Sequence, residues 1–274
     1  FQVMGPNGTF EKIKIYEKNG LQRVVFRGYG EGGFNYLDME LVRYDGKIGV
    51  ADIYVYLTGE NMSTTMAVLL DKLMNVSPSS DEYLAQRMSS VRTLIKQNNY
   101  TEARTQFNYL PASVKTTTAG ITLNLQILSR LQDTVSAQEL ALLEKRYGDQ
   151  SYFQFQMLDV YNVKKEYDKA IQVINQLDST IDKDPFLNYY RGLYSYLKGD
   201  VTTAINYYEK VTQSNPNFPG AYAELFALNA YKEDKTKAQK YFSAYRKLRN
   251  KDPDVIKRFI AAYPYLEEKK SQPN

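Results

Sequence analysis

The 274-residue chain contains no cysteine, no histidine and no tryptophan. Without Cys there is no disulfide and no thiolate. Without Cys and His together there is neither a Ser-His-Asp nor a Cys-His pair, and no zinc site of nitrogen and sulfur ligands. Carboxylates, Lys, Tyr, Ser and Thr are the only groups left for catalysis, and no cofactor is expected. A chain without thiols fits an oxidising or a reducing space equally. No apolar run approaches the roughly 18 residues of a membrane span and no signal peptide is visible, so the sequence predicts a soluble chain with no integral membrane segment. It begins at Phe1 rather than at an initiator Met, which is compatible with a removed leader and leaves localisation unknown.

Aromatic residues are abundant, with 25 Tyr and 12 Phe. Hydrophobic residues at 43% and charged residues at 24% describe a chain that folds, long enough for one large or two modest domains. The net charge of +4 falls short of the concentrated basic surface of a nucleic-acid binder. The late run Lys235, Lys237, Lys240, Arg246, Lys247, Arg249 and Lys251 reads as a solvated helix face.

Residues 1–60 read as a four-stranded antiparallel β domain, with strands over Phe10–Tyr16, Leu21–Gly28, Phe34–Tyr44 and Lys47–Leu57. Asn19-Gly20 and Asp45-Gly46 are hairpin turn signals, and the glycines from Gly28 to Gly33 mark a looser turn. Leu37, Met39 and Leu41 form one apolar set, and Ala51, Ile53, Val55 and Leu57 another. A two-residue turn would put them on opposite faces. Parity therefore predicts one extra residue at Asp45-Gly46, with Gly46 in a left-handed bulge and Asp38 roughly opposite Asp52, Glu40 nearby. Opposed buried carboxylates can serve acid-base chemistry, so Asp38, Glu40 and Asp52 are the catalytic alternative. The other expectation for them is a solvated polar face neutralised by Arg23 and Arg27.

From about residue 61 the period is helical. Met62, Met66, Leu69, Leu70 and Leu73 share a face of a connecting helix within 61–78. Helix starts follow at Ser79 with Glu82, Ser136 with Glu139, Asp184-Pro185 and Asp252-Pro253, and Gly148 and Gly199 fit helix ends. Ala103, Ala137, Ala170, Ala204 and Ala238 recur at spacings of 34, 33, 34 and 34 residues, each early in a second helix. Such a period indicates stacked helical hairpins, where a small residue at each crossing lets two helices approach. Five are predicted, at about 80–114, 115–149, 150–183, 184–217 and 218–251. A last amphipathic segment within 253–274, with Val255, Ile256, Phe259, Ile260 and Tyr263 on its stripe and charges at Glu267 to Lys270, reads as a capping helix.

Gly192 through Ala204, with Tyr208 and Pro216, resembles the tetratricopeptide (TPR) signature, and residues 79–252 resemble an array of that family. Ala170 with Ile174 and Ala238 with Phe242 repeat part of it; the Ala137 unit departs, with Leu125 where a small residue is expected and no closing Pro. Residues 34–57 weakly resemble the last strands of nuclear-transport-factor-like bacterial sheets. The fold expectation is a mainly α, TPR-like solenoid of five hairpins with a C-terminal capping helix, preceded by a small β-meander, α+β taken together. The TPR resemblance implies a non-enzymatic scaffold or adaptor holding a protein or peptide partner in a groove lined by first helices. Its groove positions fall on Tyr152, Phe155, Asp159 and Asn162, then on Phe186, Tyr189, Leu193 and Tyr196, with Tyr231 beyond; the other expectation for them is structural filling, by the superhelix closing on itself or by the N-terminal domain lying in it. The family's carboxylate-clamp positions hold Phe155, Tyr189 and Ala223, which excludes that ligand mode.

Overall fold

The structure, a computed structural model, describes residues 8–30, 33–74 and 81–266. It forms two compact units, Phe1–Asp182 and Lys183–Asn274. Among the described residues no helix is long and apolar enough to cross a membrane.

The first unit opens with an antiparallel meander, β1 (Thr9–Lys18), β2 (Leu21–Gly30), β3 (Gly33–Tyr44), β4 (Lys47–Val55) and a short β5 (Glu60–Asn61), paired in chain order. The fifth strand was not anticipated. Lys18 pairs with Leu21 and Tyr44 with Lys47, so both hairpins turn on two residues. Asn19, Gly20, Asp45 and Gly46 all have positive φ, the mirror-image turn that matches strand twist. The extra residue predicted at Asp45-Gly46 is therefore absent from the turn. It lies further down the hairpin, where Glu40 pairs with Asp52 but Leu41 with Val50, leaving Ala51 as the bulge. Asp38 faces Tyr54, and Asp52 faces Glu40.

Gly46 at φ +70 has nothing within 4 Å of a would-be Cβ. Gly46→Val should thus destabilise this hairpin by strain alone, about 1–2 kcal/mol. Gly46→Asn, which tolerates the left-handed region, should recover most of the loss in a thermal melt. Equal melting of the valine variant and the parent would contradict the turn.

Helices follow from Met62: α1 (Met62–Met74), α2 (Asp81–Lys96), α3 (Tyr100–Asn108), the single turn α4 (Ala112–Lys115), α5 (Thr118–Leu128), α6 (Thr134–Tyr147), α7 (Ser151–Lys164) and α8 (Tyr167–Thr180). The second unit holds α9 (Asn188–Leu197), α10 (Val201–Ser214), α11 (Pro219–Tyr231), α12 (Lys235–Lys247) and α13 (Pro253–Ala262). The pairs α2/α3, α5/α6, α7/α8, α9/α10 and α11/α12 occupy the five predicted hairpin segments. Met62, Met66 and Leu70 of α1 are exposed; the Ser79 helix start and the Glu267 to Lys270 charges lie outside the described residues.

The repeat is set by caps as much as by alanines. Asn99, Asp133, Asp200 and Asp234 each accept a hydrogen bond from the backbone N–H three residues on, satisfying an orphan donor at the start of α3, α6, α10 and α12. Four residues after the residues at these positions come the periodic alanines. Ala103, Ala170, Ala204 and Ala238 are fully buried. Ala137 is exposed, and Ser136 is buried beside it. The cap at Asp133 also moves that helix start three residues earlier than Ser136, so Ser136 and Glu139 are not a capping box. Glu139 instead accepts from Asn124 of α5 at 2.7 Å and pairs with Arg104 of α3.

In the second unit Gly192 marks the closest approach. A Cβ there would lie 2.8 Å from the Tyr208 ring, which is fully buried. Asp184 and Asp252 cap helical turns ahead of Pro185 and Pro253. Gly199 ends α9 at φ +92, whereas Gly148 ends α6 without a left-handed turn. Ile256, Phe259, Ile260 and Tyr263 pack on the core of the second unit, the Phe259 ring 4.2 Å from that of Phe226.

Candidate functional site

The enclosed face of the sheet is its polar one. Register puts Arg23, Val25, Arg27, Tyr36, Asp38, Glu40 and Tyr54 on one face. Arg27 is 1% exposed, Asp38 6%, and Tyr36 and Val25 fully buried. Of the opposite face, with Val24, Phe26, Leu37, Met39, Ile53 and Val55, only Val24 is buried. Part of this face lies against α7. Phe155 lies 5.1 Å from Phe34 and 6.3 Å from Tyr36, ring to ring, and Ser151 Oγ sits 3.3 Å from the Tyr54 hydroxyl.

The solvated acidic face expected from sequence is thus a covered ion cluster. Arg23 donates from Nε to Asp38 at 3.1 Å and from Nη1 to Glu40 at 2.7 Å, and Tyr16 also donates to Asp38. Burial, with the bond to Asp38, pushes the Tyr16 phenol up to about 12. Arg27 pairs with Glu11 at 2.5 Å. Asp52 stands apart, accepting from Ser63 Oγ at 2.5 Å, Ser63 N at 3.1 Å and Ile53 N at 2.8 Å. The Ser63 bonds hold its carboxyl below the ordinary range. That is the opposite of the upward shift a general acid needs at neutral pH. Asp52 ties the start of α1 to β4.

The groove residues inferred from the TPR resemblance separate into three groups. Tyr152 and Phe155 are buried in the first unit: Phe155 lies under the sheet, and Tyr152 sits so close to Gly59 that a Cβ there would meet its ring. Burial pushes the Tyr152 phenol up to about 12. In the second unit Phe186 is core, its ring 5.0 Å from Phe218, and Tyr189 packs at 5.5 Å from Tyr208 and 5.1 Å from Phe218. Leu193 is half-buried, while Tyr196 and Tyr231 are exposed by 43% and 74%. The expectation that Tyr189 is an exposed anchor gives way here, because the space left by Gly192 is filled by Tyr208 and Tyr189 covers it.

Asp159 and Asn162 are exposed and line a cavity of about 920 Å³ in the first unit. Its walls are the first helices of three successive hairpins: Arg92, Ile95 and Lys96 of α2, Thr118, Thr122 and Gln126 of α5, and Gln156, Asp159 and Asn162 of α7. The turn after β4, through Leu57, Thr58 and Glu60, closes one side, and Thr118 donates to Glu60 at 3.4 Å. The walls strip water from Asp159 and raise its carboxyl, with Arg130 pulling the other way. The other lining residues, Arg92, Lys96, Gln126 and Arg130 among them, were not singled out from sequence. They follow Asp159 and Asn162 by the same helical hairpin period, a signal that was there to be extended to α2 and α5.

No protein-family model matches the chain, and no curated protein does. Among solved structures it is similar to one described as MamA D159K mutant 1, at 11% identity over 61% of this chain and 98% of that one. The TM-score is 0.40, a likeness too loose to assign a fold or a function.

Proposed function

We propose that the chain is a non-enzymatic, TPR-like scaffold that docks a segment of a partner protein in the cavity of its first unit. One observation carries this reading: three successive first helices, α2, α5 and α7, turn exposed polar and charged side chains onto a single cavity. Gln126, Gln156 and Asn162 can both donate to and accept from a peptide backbone, and Ile95, Val160 and Val163 supply apolar contact between them. Asp38, Glu40 and Asp52, the residues that chemistry in the sheet would need, are each engaged by Arg23 or by the start of α1.

A photo-crosslinking residue placed at Thr122 or Asn162 should give protein adducts in native extract, while one at Leu142, 67% exposed on α6 and outside the cavity, should not. Equal adduct yields at the three positions, or none at the first two, would overturn the reading.

A further inference from the structure

The cavity walls differ in charge. Arg92 and Lys96 stand one turn apart on α2, both exposed and both on the wall, and Arg130 joins them just beyond α5. Of the two acids of the lining, Asp159 on α7 neighbours Arg130, and Glu60 of β5 accepts from Thr118 of α5; neither is paired with Arg92 or Lys96. Other exposed lysines do pair within a turn: Lys169 with Glu166, Lys237 with Asp234 and, on α13, Lys257 with Asp254. Arg92 and Lys96 have no acidic partner among the described residues, and Arg130 rests over the Tyr100 ring at 5.9 Å. Position 88 of the same helix is Met and position 99, after it, is Asn, so α2 supplies no carboxylate one turn either side of this pair.

We propose that the docked segment is acidic, with carboxylates set against Arg92 and Lys96 of α2. This rests on the reading of the cavity as a docking site and adds the chemistry of its occupant. Cations held apart from neighbouring acids along a concave wall attract an acidic chain from beyond contact distance, and salt weakens the attraction. The amides of Gln126 and Asn162 then hold its backbone without regard to sequence.

The test uses the full chain with fluorescent poly-L-glutamate as probe and poly-L-lysine as its counterpart. Poly-L-glutamate should bind, more weakly as salt rises, and poly-L-lysine should not. Arg92→Glu with Lys96→Glu should weaken poly-L-glutamate roughly tenfold or more, because like charges across an interface repel. Lys240→Glu with Lys247→Glu changes net charge equally on α12, outside the cavity, and should leave the affinity as it was. Thermal melts of both variants confirm folding. No binding, preference for poly-L-lysine, or equal losses in the two double variants would overturn the acidic occupant. Adducts from Thr122 alongside such a result would leave the docking site standing without it; poly-L-glutamate binding without adducts would keep the anionic site and remove the scaffold.

Discussion

Gly192→Ala should lower the melting temperature of the second unit, and Gly192→Leu should lower it much further, by about 3 kcal/mol of stability or more. Helix propensity alone points the other way, since Gly to Ala inside a helix ordinarily gains about 0.5–1 kcal/mol. The sign reverses because three Tyr208 ring carbons lie within 3.0 Å of the added Cβ. Tyr208 cannot swing aside: it is fully buried, with Tyr189 5.5 Å away ring to ring and Ala204 four residues earlier on α10, also fully buried. Tyr208→Leu in the Gly192→Ala background should restore part of the loss, a coupling readable in a double-mutant cycle. A Gly192→Ala variant more stable than the parent would mean the helices do not meet there.

Alkali should unfold the protein well before its arginines lose their charge pairs. Burial raises the phenols of Tyr16 and Tyr152 to about 12, and those of Tyr56, Tyr208 and Tyr241 also upward, the last helped by the Glu209 carboxylate it donates to. Below the unfolded value of 10.0 these phenols are neutral in both states, and their contribution is complete. Above it the unfolded chain ionises while the folded one does not, so stability falls as pH rises toward the folded values. Melting temperature should therefore begin to drop near pH 10 and absorbance at the tyrosinate band should rise together with unfolding. Tyr208→Phe should blunt the drop, since the Tyr208 hydroxyl has no hydrogen-bond partner among the described residues. Ionisation of Tyr56, Tyr208 and Tyr241 in the still-folded protein would defeat this account.

Much of the helical part could be read because its rules are local. A cap residue, then a small residue four places on, fixes where a second helix starts and which side it buries; Ala103, Ala204 and Ala238 follow that rule, while Ala170 is buried behind Glu166, which makes no side-chain cap. At α6 the rule is met in sequence but not in packing: Asp133 caps, yet Ala137 is exposed and only Ser136 and Leu140 are buried. In the sheet, alternation showed that one residue too many had to be absorbed between β3 and β4. It could not show where, since a bulge at Ala51 and one at the turn restore parity equally. The fates of Tyr152 and Phe155 were only partly legible. The TPR resemblance gave them groove positions and left open that the N-terminal domain fills the groove; which residues meet, Phe155 with Phe34 and Tyr36 and Tyr152 with Gly59, no local pattern records.

That contact also orders events in time. Tyr54 meets Ser151 across 97 residues, whereas the helices of each hairpin meet across a single short connection. Contacts so distant form late, after the local ones that bring their ends within reach. A ribosome adding about 5–20 residues per second leaves on the order of ten seconds between the last strand and α7. Through that interval Phe34, Tyr36 and Tyr54 face water or whatever attends the nascent chain, and that part of the sheet is an unfinished surface until the third hairpin arrives.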